Sequence, residues 1–324
     1  MSKRATLAQV AAYAGVSIAT ASRCFSNPEL LKPETVTSVR QAAAALHYKA
    51  PRILERDLSM ARIAVFTKLF NHQGETERLR GISNALRAWP HELLLYDVTE
   101  SASSVDYVKK LLVTKRIEGL IFSGVPILDE VATYIQRFEL PTVLIDIDDA
   151  RFSRVLTSEK KGCELVADYF NKSGAKNILF LGARPSALDI NPGIRLKSFR
   201  ERLNPDKKAA STELLVDPLS NEAGVEIRKL LKSKKRIDAI FADSDKLAIS
   251  AYVAARDLNI SIPHELALIG YGDSDSAAQL EFTSVRTHLD ASGRRAVEIL
   301  RAHEHTGEPV RDELKPELIV RSTT

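Results

Sequence analysis

Apolar positions near the N-terminus recur at helical spacing. Leu7, Val10, Ala11 and Ala14 fall on one side of a short helix, and Gly15 follows where the chain needs a left-handed residue to end it. Val16 adds an apolar contact. Ser17 is a good N-cap for a second helix, Ile18 to Phe25. Pro33 opens a third helix to about His47, with Val36, Val39, Ala43 and Leu46 on one face, and Tyr48 to Pro51 breaks it. The texture then changes. Near-continuous apolar runs at 63–66, 93–96, 119–122 and 142–145 alternate with helix-like segments at about 77–89, 105–114 and between the last two runs. The alternation resumes with helix 159–173, strand 177–181, helix 193–203, strand 213–216, helix 222–232, strand 238–241, helix 246–258 and strand 266–269. Such strands between amphipathic helices predict parallel sheets covered on both faces. The split near residues 153–160 predicts two similar α/β lobes with a cleft between them, and clefts at strand C-terminal ends are where small molecules bind.

Two helices joined by a tight glycine turn form a helix-turn-helix, whose second helix enters the DNA major groove. Its first residues, Ile18 and Ala19, and Arg23 one turn on, would face base edges. Arg23 can pair with guanine through both arms of its fork; Ile18 and Ala19 suit thymine methyls. Thr6, Ser17, Thr20 and Ser22 carry hydroxyls suited to phosphates. A helical hairpin within a larger bundle is the plainer reading, but charge favours the first. Residues 1–62 hold nine Lys/Arg against four acids, whereas the rest holds 37 basic and 38 acidic residues. All of the excess positive charge therefore lies at the end that carries the motif, as a phosphate backbone requires.

No apolar run approaches a membrane span, and no apolar stretch follows Lys3 and Arg4 as in a signal peptide. Cys24 and Cys163 are too few for a disulfide framework and read as packed thiols. Together these imply a cytoplasmic protein. Nothing resembles a glycine-rich phosphate loop, a metal-ligand cluster or a nucleophile elbow, so no catalytic residue, metal or cofactor is expected and an enzyme is disfavoured.

The order of helix-turn-helix, short linker and two α/β lobes resembles the LacI/GalR (lactose-repressor) family of transcription regulators. The resemblance rests on Thr6-Leu-Ala-Gln-Val-Ala, Ala14-Gly-Val-Ser17, Ala21-Ser-Arg23 and Pro33-Glu-Thr35 in the head. Further along it rests on Arg80-Gly-Ile82, Pro141 to Asp146, Arg195 with Phe199, Ile262 to Tyr271, Thr283 to Arg286, Gly293 to Ala296 and Pro316 to Thr323. It implies a three-helix head (1–49), a hinge (50–62) and a periplasmic-binding-protein-like core (63–324). In that core, lobe 1 takes about 63–157 and 288–316, and lobe 2 takes 158–287 and 317–324. It implies a homodimer on a near-palindromic double-stranded operator, and a small-molecule effector that changes operator affinity. With no heptad-bearing tail after Val320-Arg-Ser-Thr323, read as a strand, a dimer is expected rather than a tetramer.

The sequence departs from the family pattern at the hinge and in the pocket. The family's linker carries Ala-Arg-Ser-Leu; here Glu55-Arg-Asp-Leu58 is the match. Arg56 and Leu58 would then contact DNA, Leu58 as a minor-groove wedge. The alternative is that Leu58 packs on the core. In the pocket the family's Asn-Asp pair becomes Ser244-Asp245, its Gly-Phe/Tyr-Asp-Asp becomes Gly270-Tyr-Gly-Asp273, and its stacking aromatic becomes Leu219, with Asp217 nearby. The candidate effector residues are Phe70, Asp146, Arg195, Leu219, Ser244 and Asp273. Arg195 either contacts the ligand or pairs with Asp146; His72 beside Phe70 reads as solvated. Fewer hydroxyl-matching groups argue against an ordinary hexose, and Arg195 with Lys68 nearby suits an anionic or phosphorylated ligand, so the expected effector is a sugar derivative or an anionic metabolite. The overall reading is an effector-controlled regulator, most simply a repressor. A constitutive or architectural DNA binder whose lobes only dimerise is the alternative.

Overall fold

A computed structural model describes residues 5–26, 31–46, 48, 62–68, 74–89, 91–98, 101–114, 117–186, 188–190, 193–203, 209–217, 220, 222–233, 236–306 and 308–324. The chain forms two compact units, residues 1–60 and 61–324.

The first unit contains α1 (Leu7–Tyr13), α2 (Ile18–Ser26) and α3 (Pro33–Ala45). Thr6 caps α1: its hydroxyl accepts from the Gln9 amide while the Gln9 side chain accepts from the Thr6 amide. This reciprocal pair satisfies two otherwise orphaned donors. Val10, Ala11, Ala21, Cys24, Val39, Ala42 and Ala43 close a small core among the three helices.

The second unit contains β1 (Arg62–Thr67), α4 (Glu75–Leu86), β2 (Glu92–Asp97), α5 (Ser101–Thr114), β3 (Gly119–Ser123), α6 (Asp129–Arg137), β4 (Thr142–Ile145) and β5 (Ser153–Thr157). After these come α7 (Glu159–Ser173), β6 (Asn177–Ala183), α8 (Ile194–Leu203), β7 (Ala210–Val216), α9 (Glu222–Lys232), β8 (Ala239–Ala242), α10 (Asp245–Asp257), β9 (Ala267–Gly272), α11 (Asp275–Gln279) and β10 (Thr283–Arg286). The closing elements are α12 (Leu289–Thr306), β11 (Arg311–Leu314) and β12 (Glu317–Ile319).

The strands form two six-stranded sheets, ordered β11-β5-β4-β3-β1-β2 and β12-β10-β9-β8-β6-β7. Every pairing is parallel except that of β12 with β10. The chain crosses from the first sheet to the second after β5, returns after β10, and crosses again between β11 and β12. Three crossings close together make a hinge, where the Thr157 hydroxyl donates to the Thr287 carbonyl at 3.4 Å.

The expected strands and helices appear in place, shifted at their ends by up to four residues. The elements outside the periodic pattern are β5, α11, β10, α12, β11 and β12. The last strand corrects one expectation: it is Glu317–Ile319, and Val320 to Thr323 does not belong to it. Instead Thr323 is buried and stitched to the second sheet. Its hydroxyl donates to the Leu268 carbonyl and its own carbonyl accepts from the Leu268 amide.

α12 packs on α4 at backbone contact. A Cβ at Gly81 would stand 2.0 Å from the Asp290 carbonyl oxygen, and one at Gly293 would stand 2.1 Å from that of Arg78. Larger residues at either position would push the helices apart, which explains the two glycines in Arg80-Gly-Ile82 and Gly293-Arg-Arg-Ala296. The close crossing also brings Ser292 to the side chain of Arg78.

Candidate DNA interface and interlobe cleft

The turn between α1 and α2 ends the first helix with paired hydrogen bonds. Gly15 has φ +66°, its amide donates to the Ala12 carbonyl, and the Val16 amide donates to the Ala11 carbonyl. This double bond at a left-handed glycine is a Schellman motif. A Cβ at Gly15 would meet no atom within 4 Å, so the cost of one is purely that of the backbone angle. Gly15→Ala is therefore expected to lower the stability of the head by about 1–2 kcal/mol. Thermal unfolding followed by circular dichroism reads this, and an unchanged transition would show that the turn relaxes freely.

The Ser17 hydroxyl accepts from the Thr20 amide at 3.0 Å and lies 2.8 Å from the Thr20 hydroxyl. Both therefore help to start α2, while remaining able to meet a phosphate. The helix has two distinct faces. Ala21 and Cys24 are buried in the head core. Ile18, Ala19, Ser22 and Arg23 are exposed together on the other side, Ile18 by 55%. An exposed isoleucine beside an arginine on a helix that opens at a tight turn is the geometry of a major-groove reader. Thr6 stands exposed at the start of α1. Arg56 and Leu58 lie outside the described residues.

In the second unit, the strand C-terminal ends gather ionised side chains. Arg78, on α4, is buried. It donates to Glu75 at 2.5 Å, to Ser123 at 2.9 Å, to Ser292 at 3.2 Å and to the carboxylate of Asp146. Glu75 also accepts from Thr67 at 2.7 Å and from Ser123 at 2.8 Å. Asp146 ends β4 with φ +58°, and its other oxygen accepts from the Thr157 amide. Burial pushes the Asp146 carboxyl above the usual range, and Arg78 pulls it back only in part. Burial also opposes the Arg78 charge, yet Glu75 and Asp146 outweigh it and the guanidinium holds its proton more tightly than usual.

Arg195, at the start of α8, sits in a second cluster. It makes a two-pronged pair with Glu159, at 2.5 and 2.9 Å, donates to the Asp243 carbonyl, and lies 4.1 Å over the Tyr271 ring. The alternative of an Arg195–Asp146 pair is thus corrected: each has a partner within its own lobe. Ser244, half-buried, stands at the N-cap position of α10. The Asp273 carboxylate is buried between Arg286, at 2.7 Å, and Arg321, at 2.7 Å. This corrects its placement as a ligand acceptor, because two arginines already engage both oxygens. Phe70 and Leu219 lie outside the described residues.

Sequence reasoning missed Arg78, Glu75 and Glu159. Arg78 lies among several charged residues of one helix, and nothing local marks it as the buried one. A signal for Glu159 was present: an acid one residue after Ser158, which caps α7 by accepting from the Lys161 amide, at the point where the chain changes sheet.

Among the described residues no helix is long and apolar enough to cross a membrane. Residues 6–50 match the model of bacterial regulatory proteins of the lacI family, and residues 167–324 match a periplasmic binding protein-like domain. The chain is 29% identical to the HTH-type transcriptional regulator GntR of Pseudomonas aeruginosa, over 99% of this chain and 96% of that one. It is 24% identical to the ribose operon repressor of Escherichia coli, over 98% and 99%. Among solved structures, the Lac repressor dimer bound to operator and the anti-inducer ONPF superposes with a TM-score of 0.70 at 21% identity, over 99% of each chain. The CelR–cellobiose complex superposes with a TM-score of 0.67 at 22% identity, over 99% of this chain and 100% of that one.

Proposed function

We propose that this chain, a DNA-binding transcriptional regulator whose residues 6–50 match the lacI family of bacterial regulatory proteins, is a homodimeric repressor whose operator affinity is set by a small molecule bound between the two lobes. The observation that carries the DNA part is the two-faced α2. Its buried side fixes the helix to the head, and its free side presents Ile18, Ala19, Ser22 and Arg23 together. Thr6, Ser17 and Thr20 are the phosphate contacts that set register.

The ligand part rests on the cleft. Asp146, Glu159 and Arg195 keep 26%, 28% and 26% of their side-chain surface exposed at the strand ends, although their partners hold them in place. Pre-oriented acceptors and donors of this kind suit a hydroxyl-rich ligand, as in the cellobiose complex above. Ser244, at the N-cap position of α10, would line the same opening.

A second copy of the chain accounts for an exposed apolar edge. β2 is the outer strand of the first sheet, and Leu95 on it is 45% exposed beside the packed Leu93. A two-fold dimer that covers this edge would present two reading helices to successive major grooves. Selection from randomised duplexes with the full-length protein is expected to enrich an inverted repeat, and sedimentation to give a dimer at micromolar concentration. A single, asymmetric recognition element or a stable monomer would count against the dimer reading.

A further inference from the structure

Among the described residues of the interlobe region, Arg78, Arg195 and Lys68 are buried or half-buried cations that are not paired alike, while the more exposed Arg80 pairs across it with Asp275. Arg78 takes Glu75 and Asp146, both from the first lobe. Arg195 takes Glu159 and the Asp243 carbonyl, both from the second. Lys68, at the end of β1 and only 8% exposed, takes its partner from across the cleft. Its ammonium donates to the Asp189 carboxylate at 3.2 Å and to the Leu188 carbonyl at 3.3 Å. Asp189 and Leu188 follow β6, in the second lobe.

The same segment carries an apolar anchor. Leu188 is 6% exposed and buried in the core cluster of the first lobe, with Phe66, Phe122, Ile147 and Phe152; Ile190 packs against it too. Ser186 shapes the segment locally: its amide donates to Asp189 at 2.7 Å and its hydroxyl accepts from the Leu188 amide at 3.3 Å. A carboxylate and a leucine, two residues of one turn, thus join the lobes.

We propose that the Leu188–Asp189 turn is an interlobe latch on Lys68, and that the effector is a small anion whose carboxylate or phosphate replaces Asp189 on that lysine. The proposal rests on the reading of the cleft as the effector site. If the lobes part, Arg78 and Arg195 keep their charge partners, but Lys68 loses both of the acceptors found for it among the described residues. Losing the partner of a largely buried charge is unfavourable. A neutral ligand can offer the ammonium a hydrogen bond, as the Leu188 carbonyl does, but no counter-charge. An anion can supply both, through a charge-assisted hydrogen bond of the same kind that Asp189 makes. Asp189 therefore acts as an internal stand-in for the ligand's charged group, and ligand charge decides which occupant holds Lys68.

The test uses the full-length protein with Lys68→Met, Asp189→Asn and Leu188→Ala. Hydrogen exchange over β1 and β3 reads cleft opening without ligand, and each variant is expected to exchange about tenfold faster there than wild type. Calorimetry with D-glucuronate, D-galactonate, glucose 6-phosphate, glucose and galactose reads the ligand class. At least one anionic probe is expected to bind wild type, to bind Asp189→Asn about tenfold tighter once its competitor is gone, and to lose binding in Lys68→Met. The carboxylate and phosphate arms show which anion fits. Unchanged exchange in all three variants overturns the latch. Neutral sugars that bind while every anion fails overturn the ligand class but leave the cleft reading standing. No heat from any probe, with exchange unchanged, overturns both.

Discussion

Replacing Arg78 with methionine is expected to destabilise the second unit by about 3–5 kcal/mol, the range for breaking a buried ion pair from one side. The side chain is 4% exposed and holds together groups from four elements: Glu75 on its own helix, Ser123 at the end of β3, Asp146 at the end of β4 and Ser292 on α12. Methionine fills much of the space and keeps the close crossing at Gly81 and Gly293. It removes the guanidinium that Glu75 and the half-buried Asp146 share. Burial already pushes the Asp146 carboxyl up in the presence of Arg78, so without it the carboxyl rises further. A carboxyl whose folded pKa lies above its unfolded value destabilises at high pH and ceases to do so once both states are protonated. The penalty of Arg78→Met should therefore shrink as pH falls through the raised folded pKa towards the ordinary carboxylate range. Urea unfolding at several pH values checks both statements. A loss under about 1 kcal/mol, or a penalty that grows at low pH, would mean that the cluster is solvated and not a buried pair.

The second large effect concerns reading. Arg23→Ala is expected to weaken binding to the selected operator by about 1–3 kcal/mol per half-site contact while changing non-specific binding far less. Arg23 is exposed on α2 next to Ile18 and Ala19, and its removal leaves the head core of Ala21, Cys24 and Val39 untouched. Anisotropy titrations on operator and on random duplex separate the outcomes. Equal losses on both, with a shallower salt dependence, would show that Arg23 touches phosphate only.

Much of this architecture could be read from residue patterns, because the patterns reflect burial. Ile63 to Phe66, Leu120 to Phe122 and Val143 to Ile145 are fully buried, and a strand covered on both faces leaves an uninterrupted apolar run. The head was legible for the opposite reason: Gly15 and Ser17 meet local backbone demands that need no tertiary contact. What stayed hidden depends on distant parts of the chain. Arg78 is distinguished from Arg80 only by which face of α4 meets α12, since Arg80 lies half-exposed with Asp275. Asp189 follows a strand in a polar stretch, and nothing near it in sequence indicates Lys68, 121 residues earlier. Asp273 was misread because its partners, Arg286 and Arg321, come from β10 and from the segment after β12. β11 and β12 are short, and their alternating exposed positions carry little apolar signal.

The central claim is that the cleft and the reading helices are energetically linked. Linkage is reciprocal, so a cleft ligand that weakens operator binding must itself bind more weakly to the operator complex, by the same factor. The direct measurement takes a ligand identified by calorimetry and titrates the full-length dimer onto the selected inverted repeat with and without saturating ligand. It then measures ligand affinity with and without saturating operator. The account predicts the same change, on the order of 5–150-fold, in both directions. An operator affinity that stays constant while ligand saturates the cleft would contradict it.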